Sequence, residues 1–151
     1  MIQHARQVRR AGPPAKSREQ FRATKVVGRG NRSNAAAIGG LQVEARLFTA
    51  SVGLHVPHLL DVEVVQVLRR QVRDGMLSSM RADEALDDLD DLPLTWHGHG
   101  ALLRRIWELR HNLTAYDATY VALAEALDAT LLTCDGQIAS TPGHHARIDV
   151  I

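Results

Sequence analysis

The chain has 151 residues, 45% of them hydrophobic and 23% charged, with a net charge of +1, which is enough apolar material for one domain with its own core. A single cysteine, Cys134, excludes an internal disulfide framework and suits a reducing cytoplasm. No apolar run approaches the roughly 18 residues of a membrane span, and the basic start carries no continuous apolar stretch of the secretory-signal kind.

Residues 1–40 stand apart from the rest. They hold nine Lys and Arg against one acid, Glu19, a balance of +8, whereas the remainder carries nine bases and sixteen acids, a balance of −7. Gly12-Pro13-Pro14, Gly28-Arg29-Gly30 and Gly39-Gly40 interrupt every candidate element, and Val26-Val27 is too short to read as a strand. Residues 1–42 therefore read as a basic, Gly/Arg-rich, atypical segment, either disordered or the product of GC-rich DNA read out of frame. Residues 43–151 read as the folded domain. A basic arm on an acidic domain is also the charge pattern of an RNA-binding tail.

From residue 41 the pattern becomes orderly. Residues 41–50 read as a short amphipathic helix and 53–56 as a strand stopped by Pro57. Residues 59–73 place Leu60, Val64, Val67, Leu68 and Val72 at helical spacing, with Gly75 as the stop. A second helix, from 78 or 79 to 89, turns Met80, Ala85, Leu86 and Leu89 inward and Asp83, Glu84, Asp87 and Asp88 outward. Residues 92–96 read as a strand, and 99–113 as a helix with Leu102, Leu103, Ile106 and Trp107 inward. Thr114 caps a helix over 115–127, and strands follow at 130–133 and 146–151. Strands alternating with helices predict an α/β fold with a mostly parallel sheet covered on both faces.

Three acids carry the chemistry. Asp117 opens the helix at 115–127, Asp135 ends the strand at 130–133, and Glu63 lies in the first turn of the helix at 59–73. Each has a plain structural role available. Thr114-Ala-Tyr-Asp117 is a capping box, Asp135-Gly136 is an ordinary turn, and Glu63 complements a helix dipole. Yet Asp117 lies at the margin of an apolar face, beside Val121 and Ala124, and the carboxyl end of a parallel strand is where such sheets collect ligands. Paired acids at a helix start and a strand end supply the hard oxygens that Mg²⁺ or Mn²⁺ prefers. His97-Gly98-His99 and His144-His145 have no further Cys or His at zinc-site spacing and read as surface residues. No phosphate-binding, dinucleotide-binding or nucleophile-elbow motif is present.

The segments 55–63, 110–127 and 131–135 together resemble a PIN-domain protein, and more narrowly the VapC toxins of bacterial type II toxin–antitoxin systems. Tyr116-Asp-Ala-Thr-Tyr-Val-Ala-Leu-Ala124, with Leu131-Leu-Thr-Cys-Asp135 at its proper distance, is the specific part. The resemblance implies a central parallel sheet flanked by helices and a cytoplasmic, metal-dependent endoribonuclease using Mg²⁺ or Mn²⁺. It further implies a homodimer silenced by a cognate VapB-type antitoxin. By position Glu63, Asp117 and Asp135 fall on three of the family's acidic catalytic and metal-binding positions. Asn112 and Thr133 are candidates to orient substrate or ligands.

The chain departs from the family at its start. Family members begin with an apolar strand ending in Asp, in a Val-Asp-Ala-Ser-like motif. Counting back from Glu63 reaches residues 21–27, Phe-Arg-Ala-Thr-Lys-Val-Val, followed by Gly28-Arg29-Gly30, and no Asp precedes Asp61. Both the first strand and the first acid are therefore expected to be missing. The expected consequence is a VapC-like ribonuclease that is inactive as written. The alternative is a catalytically dead PIN fold that only binds antitoxin or dimerises.

Overall fold

In the computed structural model, which describes the backbone of residues 24–27 and all of residues 53–151, Thr24–Val27 forms the first strand, β1. Gly53–Pro57 (β2) leads into the helix Leu59–Arg73 (α1), followed by Ser79–Asp90 (α2) and Leu94–His97 (β3). A 3-10 turn at His99–Ala101, the short helix Leu103–Glu108 (α3) and a second 3-10 turn at Leu109–His111 come next. Ala115–Leu127 (α4), Thr130–Thr133 (β4), Gly136–Ser140 (α5) and Arg147–Val150 (β5) complete the order. The strands form one sheet, β3-β2-β1-β4-β5, in which every neighbouring pair is parallel. This is the α/β class that the alternating elements predict.

One expectation is corrected: the first strand is not missing. Thr24–Val27 takes the middle of the sheet, with Val26 in register with His55 of β2 on one side and Leu131 of β4 on the other. Four residues suffice because parallel neighbours on both sides satisfy the backbone donors and acceptors. That support is tertiary, and local periodicity does not register it. Part of the basic segment thus belongs to the folded sheet. The expected boundary between residues 42 and 43, and the expected helix at 41–50, lie outside the described residues.

The helix α4 is the centre of the core. Its residues 118–124 are all buried, and it touches β1, β2, β4 and α3. A helix covered all round needs no polar face in its middle turns, which explains the run Ala118-Thr-Tyr-Val-Ala-Leu-Ala124. Its start is set by Thr114, whose hydroxyl accepts the Asp117 N–H. Its end is set by Asp128 at φ 50°, a left-handed cap that Asp tolerates better than most residues. Val56, Leu131 and Leu132, all essentially without exposure, supply the sheet's share of the core.

The periodicity of α1 holds as read. Leu60, Val64, Val67, Leu68 and Val72 are half-buried while Val62 and Val65 face out, and Gly75 adopts φ +71° just past the helix. Elsewhere the phase holds in part: Ala85, Leu86, Leu89 and Ile106 are half-buried, Leu102 is buried, and Asp83, Glu84, Asp87 and Asp88 face out as read. Met80 is exposed and Ala82 is the buried residue of α2. Leu103 and Trp107 are 54% and 68% exposed, whereas Leu109 and Leu113 are buried. The reason is that 99–113 is not one helix. Two 3-10 turns bracket a six-residue helix, and each advances three residues per turn rather than 3.6, so the inward face is re-phased. The turn expected at Asp135-Gly136 continues as the short helix α5.

Candidate active site at the carboxyl ends of the strands

The strand order defines where a site can form. The chain moves from β1 outward to β2 and β3, then returns across β1 to β4 and β5. The connections therefore diverge between β1 and β4, and the carboxyl ends of strands at such a switch point are where open α/β sheets commonly bind ligands. Asp135 follows β4 directly, and α1, carrying Glu63, starts just after β2. The helix α4 leads into β4, so it runs against the strands and begins, with Asp117, at the same end.

Each acid is half-buried and held by a named donor. Glu63 Oε2 accepts a 2.6 Å hydrogen bond from the Tyr120 hydroxyl. Asp117 Oδ2 accepts from the Thr114 hydroxyl at 2.6 Å, while the Asp117 N–H donates back to Thr114 Oγ1 at 3.2 Å. Asp135 Oδ1 accepts the Gln137 N–H at 2.9 Å and so caps α5. The Asp135 N–H donates to Oγ1 of the buried Thr133 at 3.0 Å, which holds the backbone where β4 ends. The bond from the Asp117 N–H to Thr114 is one half of the expected capping box, and Asp135 caps α5 where the sequence suggested only a turn. Asn112 turns elsewhere: its Nδ2 donates to the Pro142 carbonyl at 3.0 Å and faces Gly143, whose φ of +95° and tight surroundings leave no room for a Cβ.

Two features escape a reading of the sequence. Tyr120, one turn after Asp117, ties α4 to α1 through Glu63; its spacing from Asp117 was visible, its partner was not. The second is a network around Glu125, whose carboxylate receives Arg105 Nε at 2.7 Å, Arg105 Nη2 at 3.0 Å and the His145 N–H at 2.8 Å. Burial pushes the Glu125 carboxyl up, but the Arg105 guanidinium and the His145 N–H outweigh it and hold it below the usual range. Arg105 is raised in turn, chiefly by its hydrogen bond to Glu125.

The donor chemistry suits a hard divalent cation, since all three candidates are carboxylates. The arrangement falls short of a finished site. Among the described residues, no three His, Cys, Asp or Glu side chains are grouped so that one ion could take them all. The sequence directly after β1 reads Gly28-Arg29-Gly30 and contains no carboxylate.

A single parallel sheet whose connecting helices begin at the carboxyl ends of its strands defines an α/β protein of open-sheet type. The PIN-domain family matches residues 34–143. VapC ribonuclease Mb0985 of Mycobacterium bovis is 42% identical over 108 residues, which cover 72% of this chain and 85% of that protein. Ribonuclease VapC1 of Mycobacterium tuberculosis is 46% identical over 98 residues, covering 64% and 74%. The crystal structure of PAE2754 from Pyrobaculum aerophilum shares the fold, with a TM-score of 0.58 and 21% identity over 82% of this chain and 90% of that one. The chain belongs to the PIN-domain family. Its central strand, Thr24–Val27, precedes the segment that the family match covers.

Proposed function

We propose that this chain is a VapC-type toxin whose reaction is hydrolysis of RNA phosphodiesters, and that as written it cleaves very weakly or not at all. The ribonuclease reading is supported by the names of the relatives at 42% and 46% identity. The loss of activity is carried by one observation: β1 holds the middle of the sheet, yet Gly28-Arg29-Gly30 follows it where an acid is expected. Glu63, Asp117 and Asp135 are the residues that would hold Mg²⁺ or Mn²⁺, with Thr133 orienting Asp135. Asn112 orients substrate only if its amide leaves Pro142. A cognate VapB-type antitoxin, an RNA substrate, a homodimer and a cytoplasmic location belong to the same reading. Among the described residues no helix is long and apolar enough to cross a membrane.

A second reading, a catalytically dead PIN fold retained for antitoxin binding or dimerisation, draws on the same missing acid. Cleavage of a defined RNA by the full chain, with Mg²⁺ and then Mn²⁺, separates the two. The expected result is little or no cleavage by the unaltered chain, with recovery when Gly28→Asp or a Val-Asp-Ala-Ser-like strand is introduced. Asp117→Asn should then abolish the recovered activity. Loss of a direct ligand is expected to exceed the ~10–100-fold typical of its supporting partners. Robust Mg²⁺-dependent cleavage by the unaltered chain, lost in Asp117→Asn, would mean that another group completes the site. Failure of both restored chains would favour the dead module.

A further inference from the structure

Four histidines separated in sequence meet on the β2–β3 side of the sheet. His55 and His58 lie in and just after β2, and His97 and His99 at and just after β3. Parallel pairing sets His55 opposite Thr95 and Pro57 opposite His97. Residues two apart on a strand share a face, so His55 and His97 are diagonal neighbours on the face opposite buried Leu54 and Val56. His55 Nδ1 stands 2.8 Å from His97 Nε2, with ring centroids 5.1 Å apart. The His58 N–H donates to the His97 carbonyl at 3.0 Å, and the His58 ring lies 6.4 Å from those of His99 and Trp96. The Nε2 of His99 is buried without a hydrogen-bond partner, which is unusual for an imidazole nitrogen.

We propose that His55 and His97 form a two-imidazole site for a borderline transition-metal cation, with Zn²⁺ as its probe, built without the three carboxylates. Imidazole nitrogen selects Zn²⁺, Ni²⁺ or Cu²⁺ over Mg²⁺, so this site and the acids favour different ions. Both rings are half-buried, and burial first, then the neighbouring His97 for His55 and His58 for His97, pushes each below the ordinary histidine value. Neutral rings keep the lone pair that a metal needs. At present the two nitrogens share one hydrogen, as donor and acceptor. On binding, that hydrogen moves to the far nitrogen of its own ring, and both facing lone pairs turn to the ion.

The required movement is small. Zn–N bonds of about 2.0–2.1 Å at a tetrahedral angle place two nitrogens roughly 3.3 Å apart, about half an ångström wider than they stand now. Since no three candidate ligands are already grouped among the described residues, water completes the coordination unless the His58 or His99 ring rotates in.

Calorimetric titration of the full chain with Zn²⁺ near pH 7.5, in excess Mg²⁺, tests the site. The expected result is one Zn²⁺ per chain, bound at least tenfold more weakly in His55→Gln and in His97→Gln. Binding should be unchanged in His111→Gln, an exposed histidine elsewhere, and in Asp117→Asn. Should either glutamine variant misfold, long-range ¹H–¹⁵N spectra of the unaltered chain give the same answer, because Zn²⁺ must shift His55 Nδ1 and His97 Nε2. No binding by the unaltered chain, binding that survives His97→Gln, spectra without those shifts, or loss of binding in Asp117→Asn would each overturn the proposal.

Discussion

The hydroxyl of Tyr120 donates a 2.6 Å hydrogen bond to Oε2 of Glu63, joining α4 to α1 across 57 residues of chain. Tyr120 is only 1% exposed, so the bond forms where water competes little and a carboxylate acceptor strengthens it. Asp117 lies three residues before Tyr120, one turn away on the same helix. The bond therefore sets where Glu63 stands relative to the acid it is proposed to work with.

Tyr120→Phe removes that donor while keeping the ring. It is expected to lower stability by about 1.5–3 kcal/mol, the range for a hydrogen bond to a charged group. The change should read as a lower urea midpoint with an unchanged slope. Glu63→Gln and the double variant complete a cycle, in which a coupling of roughly 0.5–3 kcal/mol is expected. Strictly additive losses would show that the two side chains do not act on each other.

Asp135 can be tested as a cap and as a ligand separately. Asn caps helices about as well as Asp, so Asp135→Asn should keep the bond to the Gln137 N–H and leave the thermal midpoint unchanged. The same substitution in a chain with the acid restored after β1 should remove cleavage, because the negative charge is gone. Full cleavage by that variant would leave Asp135 with its capping role alone.

The Arg105–Glu125 pair predicts an acid sensitivity with a definite sign. The Glu125 carboxyl is held below its ordinary value of 4.5 in the folded chain. Its contribution is therefore complete above about pH 4.5 and is lost as pH falls from there through the folded value. Arg105→Ala should cost about 2 kcal/mol at pH 7, leaving a largely buried carboxylate without its cation. That deficit should shrink below pH 4.5 in chemical denaturation across pH. A deficit that is constant with pH would assign the cost to lost packing of the Arg105 stem.

Leu109 and Leu103 test the re-phased segment. Leu109 is 1% exposed and touches the core, so Leu109→Ala should cost about 2–5 kcal/mol. Leu103 faces solvent, and Leu103→Gln should change stability by no more than about 0.5 kcal/mol. Comparable losses at the two positions would restore the continuous helix over 99–113.

The helix at 59–73, the capped helix at 115–127 and the strand at 130–133 were legible in the amino-acid sequence to the residue. In each, local chemistry and tertiary demand agree: Thr114 offers its hydroxyl to a backbone N–H three residues on, Gly75 accepts φ > 0 without cost, and apolar spacing matches one buried face. The family was legible for the same reason, since Tyr116 to Ala124 and Leu131 to Asp135 carry the family's pattern and much of the core together. Thr24–Val27 was illegible because its stability comes from β2 and β4 on either side rather than from its own composition. Leu103 and Trp107 were misplaced because 3-10 turns shift the helical phase without a strong local signal. The meeting of His55 with His97, and of Tyr120 with Glu63, was decided only when parallel strands and packed helices brought together residues 42 and 57 positions apart. Sequence determines local geometry over a few turns, whereas register across a sheet depends on partners elsewhere in the chain.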